Sequence, residues 1–170
     1  MNISVYSQTC HLWWHYILWL FCMVNIISVN VQGLVSEYKQ CSFSVLLRQC
    51  RATIVCAQET NLTRIDQITQ VKEYDVWINP ATHRSNGTAI FLHRSLLMKW
   101  RVCEHVILVP GYSQLLHLDT EHQSILLVNV YMPQLQAEGI HLVKCIQSAL
   151  ARFFISNILI CGDFNCTISP

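Results

Sequence analysis

Two carboxylates, two carboxamides and a phenol stand out in this sequence because each closes an apolar run. Asn30 closes NIISVNV, Glu59 closes TIVCAQE, Tyr131 closes SILLVNVY, and Asp163 and Asn165 stand just past NILIC. Carboxylate and amide oxygens are hard donors of the kind Mg²⁺ prefers, and such side chains can hold an attacking water against a phosphate. A lone acid at the end of an apolar run is usually only the point where a strand leaves the core for water. Five polar residues so placed point to one crevice, because in α/β sheets the loops at the carboxyl ends of strands converge.

The elements that must carry these residues follow from short apolar runs with polar breaks. Asn25–Val31 is a β-branched run closed by Gln32-Gly33, which predicts a buried strand. Ser36 offers an N-cap, and Phe43, Leu46 and Leu47 fall on one side of a helix over Glu37–Cys50. Thr53–Glu59 reads as a second buried strand, so strand, helix and strand form a crossover unit of the α/β kind. Runs starting at Gly87, Trp100, Ser113 and Ser124 fit antiparallel strands, with the break Asp119–Gln123 closing a hairpin. A helix over Gly139–Phe154, with Ile140, Val143, Ile146, Gln147 and Leu150 at helical spacing, then leads into a strand over Asn157–Cys161. No repeat or linker marks a second domain.

Composition narrows the class. The chain has 170 residues, 52% of them apolar and 12% charged, enough to bury a core without disulfides. Eleven Lys and Arg against ten Asp and Glu leave a net charge of +1, so any grip on phosphates must be local. The nine cysteines lack zinc-ligand spacing and read as reduced, buried thiols, which suits an intracellular chain. None of the eight histidines, at 11, 15, 83, 93, 105, 117, 122 and 141, forms a metal-binding pattern. His83, Arg84, Arg94, Lys99 and Arg101, with Trp77 and Trp100 nearby, form the one stretch that could track a phosphate backbone. The apolar stretch Leu12–Val29 approaches the length of a membrane span, but Asn25–Val31 is needed for a strand, and no basic flank sets an orientation.

The blocks ISVNVQGL, IVCAQET, GTAIFL, LLVNVYMP and ILICGDFNCTISP, in this order, resemble the endonuclease/exonuclease/phosphatase superfamily, the exonuclease III-like fold. Within it, the blocks are most similar to the endonuclease domain of LINE-type retrotransposons. The resemblance implies a four-layer α/β sandwich over residues 23–170, with 1–22 an apolar leader outside the domain. It implies Mg²⁺ as cofactor, with Mn²⁺ as substitute, DNA as partner, a downstream reverse transcriptase in a longer polyprotein, and a nuclear site of action. Glu59 matches the metal-binding glutamate and Asn30 the amide beside the metal. Tyr131 matches the phosphate-contacting tyrosine, Asp163 the aspartate that positions or deprotonates the attacking water, and Asn165 the amide that orients that aspartate.

One departure from the family pattern is large. The family continues past GDFN into further strands of the second sheet and a late Asp-His pair, for which this sequence has no counterpart. A missing general acid or base costs about 10² to 10⁴ in rate, and a final strand left at an open edge invites aggregation. The expectation is therefore a truncated second sheet and a chain that alone is catalytically inert and poorly soluble. The alternatives are a non-catalytic retroelement remnant and a small protein anchored in a membrane through residues 12–24.

Overall fold

The computed structural model describes residues 3–6, 24–83, 85–155 and 157–165; for the first of these stretches only the strand pairing is described. Two mixed sheets stack face to face. The first has the order β1-β2-β3-β5-β4, with β1 Ile3–Tyr6, β2 Ile26–Asn30, β3 Ile54–Gln58, β4 Tyr74–Asn79 and β5 Thr88–His93. The second has the order β6-β7-β8-β9, with β6 Arg101–Val109, β7 Ser113–Asp119, β8 Ser124–Tyr131 and β9 Ile158–Asp163. Helix α1, Glu37–Gln49, crosses from β2 to its parallel neighbour β3, and α3, Gln136–Leu150, crosses from β8 to its parallel neighbour β9. A short helix α2, Arg94–Leu97, follows β5.

Three apolar layers fill the spaces between the elements. Phe43 and Leu47 of α1 pack on Val29, Ala57 and Phe91, the outward face of the first sheet. Between the sheets, Cys56, Ile90 and Leu92 meet Leu116, Leu118 and Leu127. On the far side, Leu115, Leu126, Val128 and Val130 receive Leu142 and Ile146 of α3. Successive strand residues point to opposite faces, so Leu115 and Leu116, both 0% exposed, serve different layers. The result is the expected four-layer α/β sandwich. At about 1.5–3 kcal/mol for each fully buried large apolar side chain, these layers supply most of the drive to fold.

Local signals explain most of the boundaries. Ser36 is extended and its side chain accepts from the Lys39 N–H at 3.4 Å, capping α1 where the sequence predicts. Gly162 is required by close approach, since a Cβ there would lie 2.1 Å from the Val130 carbonyl oxygen of β8.

Four expectations need correction. First, the pattern assigns no element to 74–79, yet β4 lies there, an edge strand with intermediate burial along most of its length and therefore no clean alternation. Second, α3 ends at Leu150 and only part of the expected stripe turns inward: Ile146 is buried beside Leu142 and Leu150 packs on the same layer, while Ile140 and Val143 are 51% and 41% exposed. Leu142 and Ile146, one turn apart, meet the sheet together, and Ile140 and Val143 lie to the side of that contact. Third, all six described cysteines are free, but Cys41 and Cys103 are exposed and only Cys56 and Cys161 are buried. Fourth, Trp77 and Trp100 are half-buried and pack against the inter-sheet layer, so part of each ring is committed to the core. No described helix is long and apolar enough to cross a membrane, and most of the apolar stretch from Leu12 lies outside the described residues.

Candidate functional site

Strand direction decides where the polar residues gather. In the first sheet Asn30 aligns with Gln58 at the carboxyl ends of β2 and β3, and in the second Tyr131 aligns with Asp163 at the carboxyl ends of β8 and β9. The sheets stack with these ends together. Asn30 Nδ2 donates to Glu59 Oε1 at 2.9 Å and to Asp163 Oδ2 at 2.8 Å, so one amide bridges carboxylates from opposite sheets. Tyr131 OH donates to the same Glu59 oxygen at 2.8 Å. The Asn165 N–H donates to Asp163 Oδ1 at 3.0 Å, and its side-chain amide donates to the Met132 carbonyl, tying β9's end to β8's. All five sequence-predicted residues meet in one crevice.

The backbone at this crevice is held in unusual conformations. Among the described residues, five non-glycines have left-handed φ: Gln32 at 50°, Arg51 at 49°, Glu59 at 52°, Asn61 at 57° and Asn165 at 47°. Four of the five lie in the loops that follow β2, β3 and β9. Asn tolerates this region, but Glu and Gln occupy it at a cost of order 1–3 kcal/mol. The cost is met by an extended ladder between the two loops: Val31 N–H to Gln58 O, Gly33 N–H to Glu59 O and Leu34 N–H to Thr60 O, at 3.0, 2.6 and 2.8 Å.

Behind the crevice lies a polar layer that sequence reasoning passes over. Asn129, fully buried, donates to the Ala57 and Ala89 carbonyls at 3.0 Å each and accepts from Gln58 Nε2 at 2.7 Å. It thereby fixes β8 against β3 and β5 two residues before Tyr131. Gln114 reaches across in the same way to Thr88 Oγ1 at 3.1 Å. The available signal is a carboxamide inside an apolar run, as in LLVNV, because a buried amide needs partners across the core. Tyr112 stacks on Tyr131 with ring centroids 6.1 Å apart and nearly parallel planes, which fixes the phenol's direction.

Charge in the crevice is one-sided. Neither Glu59 nor Asp163 forms an ion pair among the described residues, whereas Glu73, Asp75, Asp66 and Asp119 each pair with an arginine. Burial, then the Glu59 carboxylate it faces, push the Tyr131 hydroxyl up to about 12, so it remains a donor at neutral pH. No cluster of three or more His, Cys, Asp and Glu side chains exists among the described residues. The donor set nonetheless suits Mg²⁺, which keeps several of its waters and needs only one or two carboxylates from a protein. Asn30 turns its nitrogen toward the carboxylates and its oxygen toward the Gln32 N–H, 3.1 Å away. Among the described histidines, His93 caps α2, His105 meets Gln114, His117 meets Ser124 and His141 meets Cys145, while His83 lies in the loop between β4 and β5.

The proposed phosphate-tracking stretch is divided by the fold. Arg94 follows β5 and Arg101 opens β6, both at the end of the sandwich opposite the crevice, where they pair with Asp75 and Asp119. His83 lies in the loop between Asn79 and Thr88, which the β4–β5 pairing puts at the crevice end. Neighbours in sequence are here separated by the length of a hairpin.

No family model matches the chain. Solved structures do match its fold. A humanized D. rerio TDP2 superposes with a TM-score of 0.62 at 16% identity over 85% of this chain and 67% of that one. The Xenopus laevis APE2 catalytic domain gives 0.62 at 18% identity, over 85% and 59%. The endonuclease domain of TRAS1, a telomere-specific non-LTR retrotransposon, gives 0.63 at 15% identity, over 84% and 61%. The chain thus spans about three-fifths to two-thirds of the length of these proteins. Its fold is that of the endonuclease/exonuclease/phosphatase superfamily.

Proposed function

We propose that this chain is part of a Mg²⁺-dependent DNA endonuclease of the LINE retrotransposon type, with Asn30, Glu59, Tyr131, Asp163 and Asn165 as its phosphodiester site. A reverse transcriptase in the same polyprotein is its partner, and its target places its work in the nucleus. One observation carries the reading: carboxylates from two sheets share a single amide nitrogen, and no Lys or Arg among the described residues neutralises either. A bound cation supplies that neutralisation and withdraws charge from a phosphate oxygen. Glu59 would hold it, and Asn30 would join only with its amide turned over, since here its nitrogen faces the carboxylates and its oxygen accepts from the Gln32 N–H.

The chain's own groups divide the remaining work. Asp163, fixed through both oxygens by Asn30 and the Asn165 N–H, accepts the proton of an attacking water. Tyr131 keeps its proton and donates to negative oxygen as it develops on phosphorus. Asn165 holds the Asp163 loop against β8 through Met132. No described histidine side chain is hydrogen-bonded to these five residues, and an absent acid–base group costs about 10² to 10⁴ in rate. The chain alone is therefore expected to leave supercoiled plasmid uncut in Mg²⁺.

Water-proton relaxation with Mn²⁺ tests the site without depending on turnover. The expected result is one Mn²⁺ site, displaced by Mg²⁺ and lost in Glu59→Gln. A chain that binds no Mn²⁺, or binds it equally well after that substitution, overturns the reading. Plasmid nicking by the chain alone, abolished in Asp163→Ala, would overturn its inertness and leave the site intact.

A further inference from the structure

We infer that the groove between β6 and α3, on the outer layer of the second sheet, is a docking site for an extended acidic segment of a partner protein, one that alternates carboxylate and apolar side chains. The groove shares no residue with the crevice, so its occupant does not depend on the endonuclease reading.

The groove has a volume of about 410 Å³, and its two walls differ in chemistry. Val106, Ile107 and Leu108 of β6 supply an apolar wall. The other wall follows the spacing of α3: His141, Cys145, Ser148 and Arg152, the last just past the helix end, are four, three and four residues apart and fall on one stripe, with Lys144 beside it. His141 Nε2 lies 3.5 Å from Cys145 Sγ within that stripe. Leu142 and Ile146 pack down on the second sheet, which turns the polar stripe toward β6. Since β6 is the edge strand of its sheet, the groove is open along that side among the described residues.

Charge decides what the groove takes. Arg48, Arg64, Arg94 and Arg101 each pair with a carboxylate, whereas Lys144 and Arg152 form no ion pair among the described residues. No Asp or Glu lines the groove, so nothing in its walls answers these two cations. No Phe, Tyr or Trp lines it either, and a single-stranded nucleic acid would find charge there without a ring on which to stack a base. Spacing favours an extended peptide. Lys144 and Arg152 are eight residues apart, about 12 Å at the helical rise. Carboxylates four residues apart on one face of an extended chain lie about 13 Å apart, and the side chains between them alternate to the other face. Such a segment turns its acids to the α3 stripe and its apolar residues to Val106 and Leu108.

The test is fluorescence anisotropy of a labelled peptide of alternating Glu and Val, titrated with the full chain at low and at moderate KCl. Binding is expected, weaker as salt rises, and weaker by about tenfold or more in the double variant Lys144→Glu, Arg152→Glu. Lys72→Glu, in the loop before β4 of the other sheet, is expected to leave it unchanged. All three side chains are exposed, so far-ultraviolet circular dichroism of the variants is expected to match the parent. A peptide of alternating Lys and Val is expected to reverse the order, binding the double variant better than the parent. Failure of the Glu peptide to bind, equal binding by the double variant, or an equal loss in Lys72→Glu overturns the inference. Displacement of the peptide by a single-stranded DNA oligonucleotide that needs the same two cations would assign the groove to nucleic acid and overturn it as well.

Discussion

The two ends of the sandwich are built from the same strands and treat charge in opposite ways. At the end where β4 and β6 begin, Arg94 meets Asp75 and Arg101 meets Asp119, exposed pairs in which each charge has its partner. At the other end Glu59 and Asp163 face one neutral amide and a protonated phenol, and three of the loops there hold left-handed residues. The first arrangement is what a stable surface needs. The second keeps acids close together with only neutral donors between them, which folding alone gives no reason to do. That contrast, more than any single motif, is what supports the proposal that the crevice is the working end.

The contrast can be broken or sharpened in order of expected effect. Glu59→Gln is expected to weaken Mn²⁺ binding by more than the roughly 10–100-fold that loss of an outer-shell partner costs, while Asp75→Asn leaves it unchanged; relaxation titrations compare the two. Asn129→Leu removes the donor to Ala57 and Ala89 and one partner of Gln58, and is expected to cost about 1–3 kcal/mol in denaturant unfolding.

Tyr131→Phe deletes one 2.8 Å hydrogen bond, worth about 0.5–1.5 kcal/mol at neutral pH. Its signature lies at high pH. A folded-state value raised to about 12 from the ordinary phenol value of about 10 means that stability is present below about 10 and drains away as pH climbs toward 12. The Phe variant is expected to show a smaller alkaline loss, and ultraviolet titration is expected to lack one late-ionising phenol; an identical alkaline profile would contradict the burial of this hydroxyl. The smallest change is Arg94→Gln, an exposed pair, expected to shift stability by less than about 1 kcal/mol in thermal unfolding. A larger loss would mean that the opposite end is more than solvated surface.

The residues legible in the sequence are those whose position depends on strand direction alone. Asn30, Glu59, Tyr131, Asp163 and Asn165 each close an apolar run, and runs that become parallel neighbours deliver their ends to one place. The stretch from His83 to Arg101 failed as a rim because it contains β5, which carries Arg94 and Arg101 a full strand length away from His83. Helical spacing alone placed Ile146 and Leu150 on the inward side of α3 but could not drop Ile140 and Val143 in favour of Leu142, and contact with the second sheet makes that choice.

Side chains in a strand alternate faces with a period of two, so a slip of β9 by one residue against β8 would bring Gly162 or Phe164 opposite Tyr131 in place of Asp163. The Asn30 bridge tolerates no such shift, because it spans both sheets with a single nitrogen. If the proposed cation site holds, its affinity would also be a gauge of alignment: a preparation whose strands have mispaired would lose binding before it lost its secondary structure.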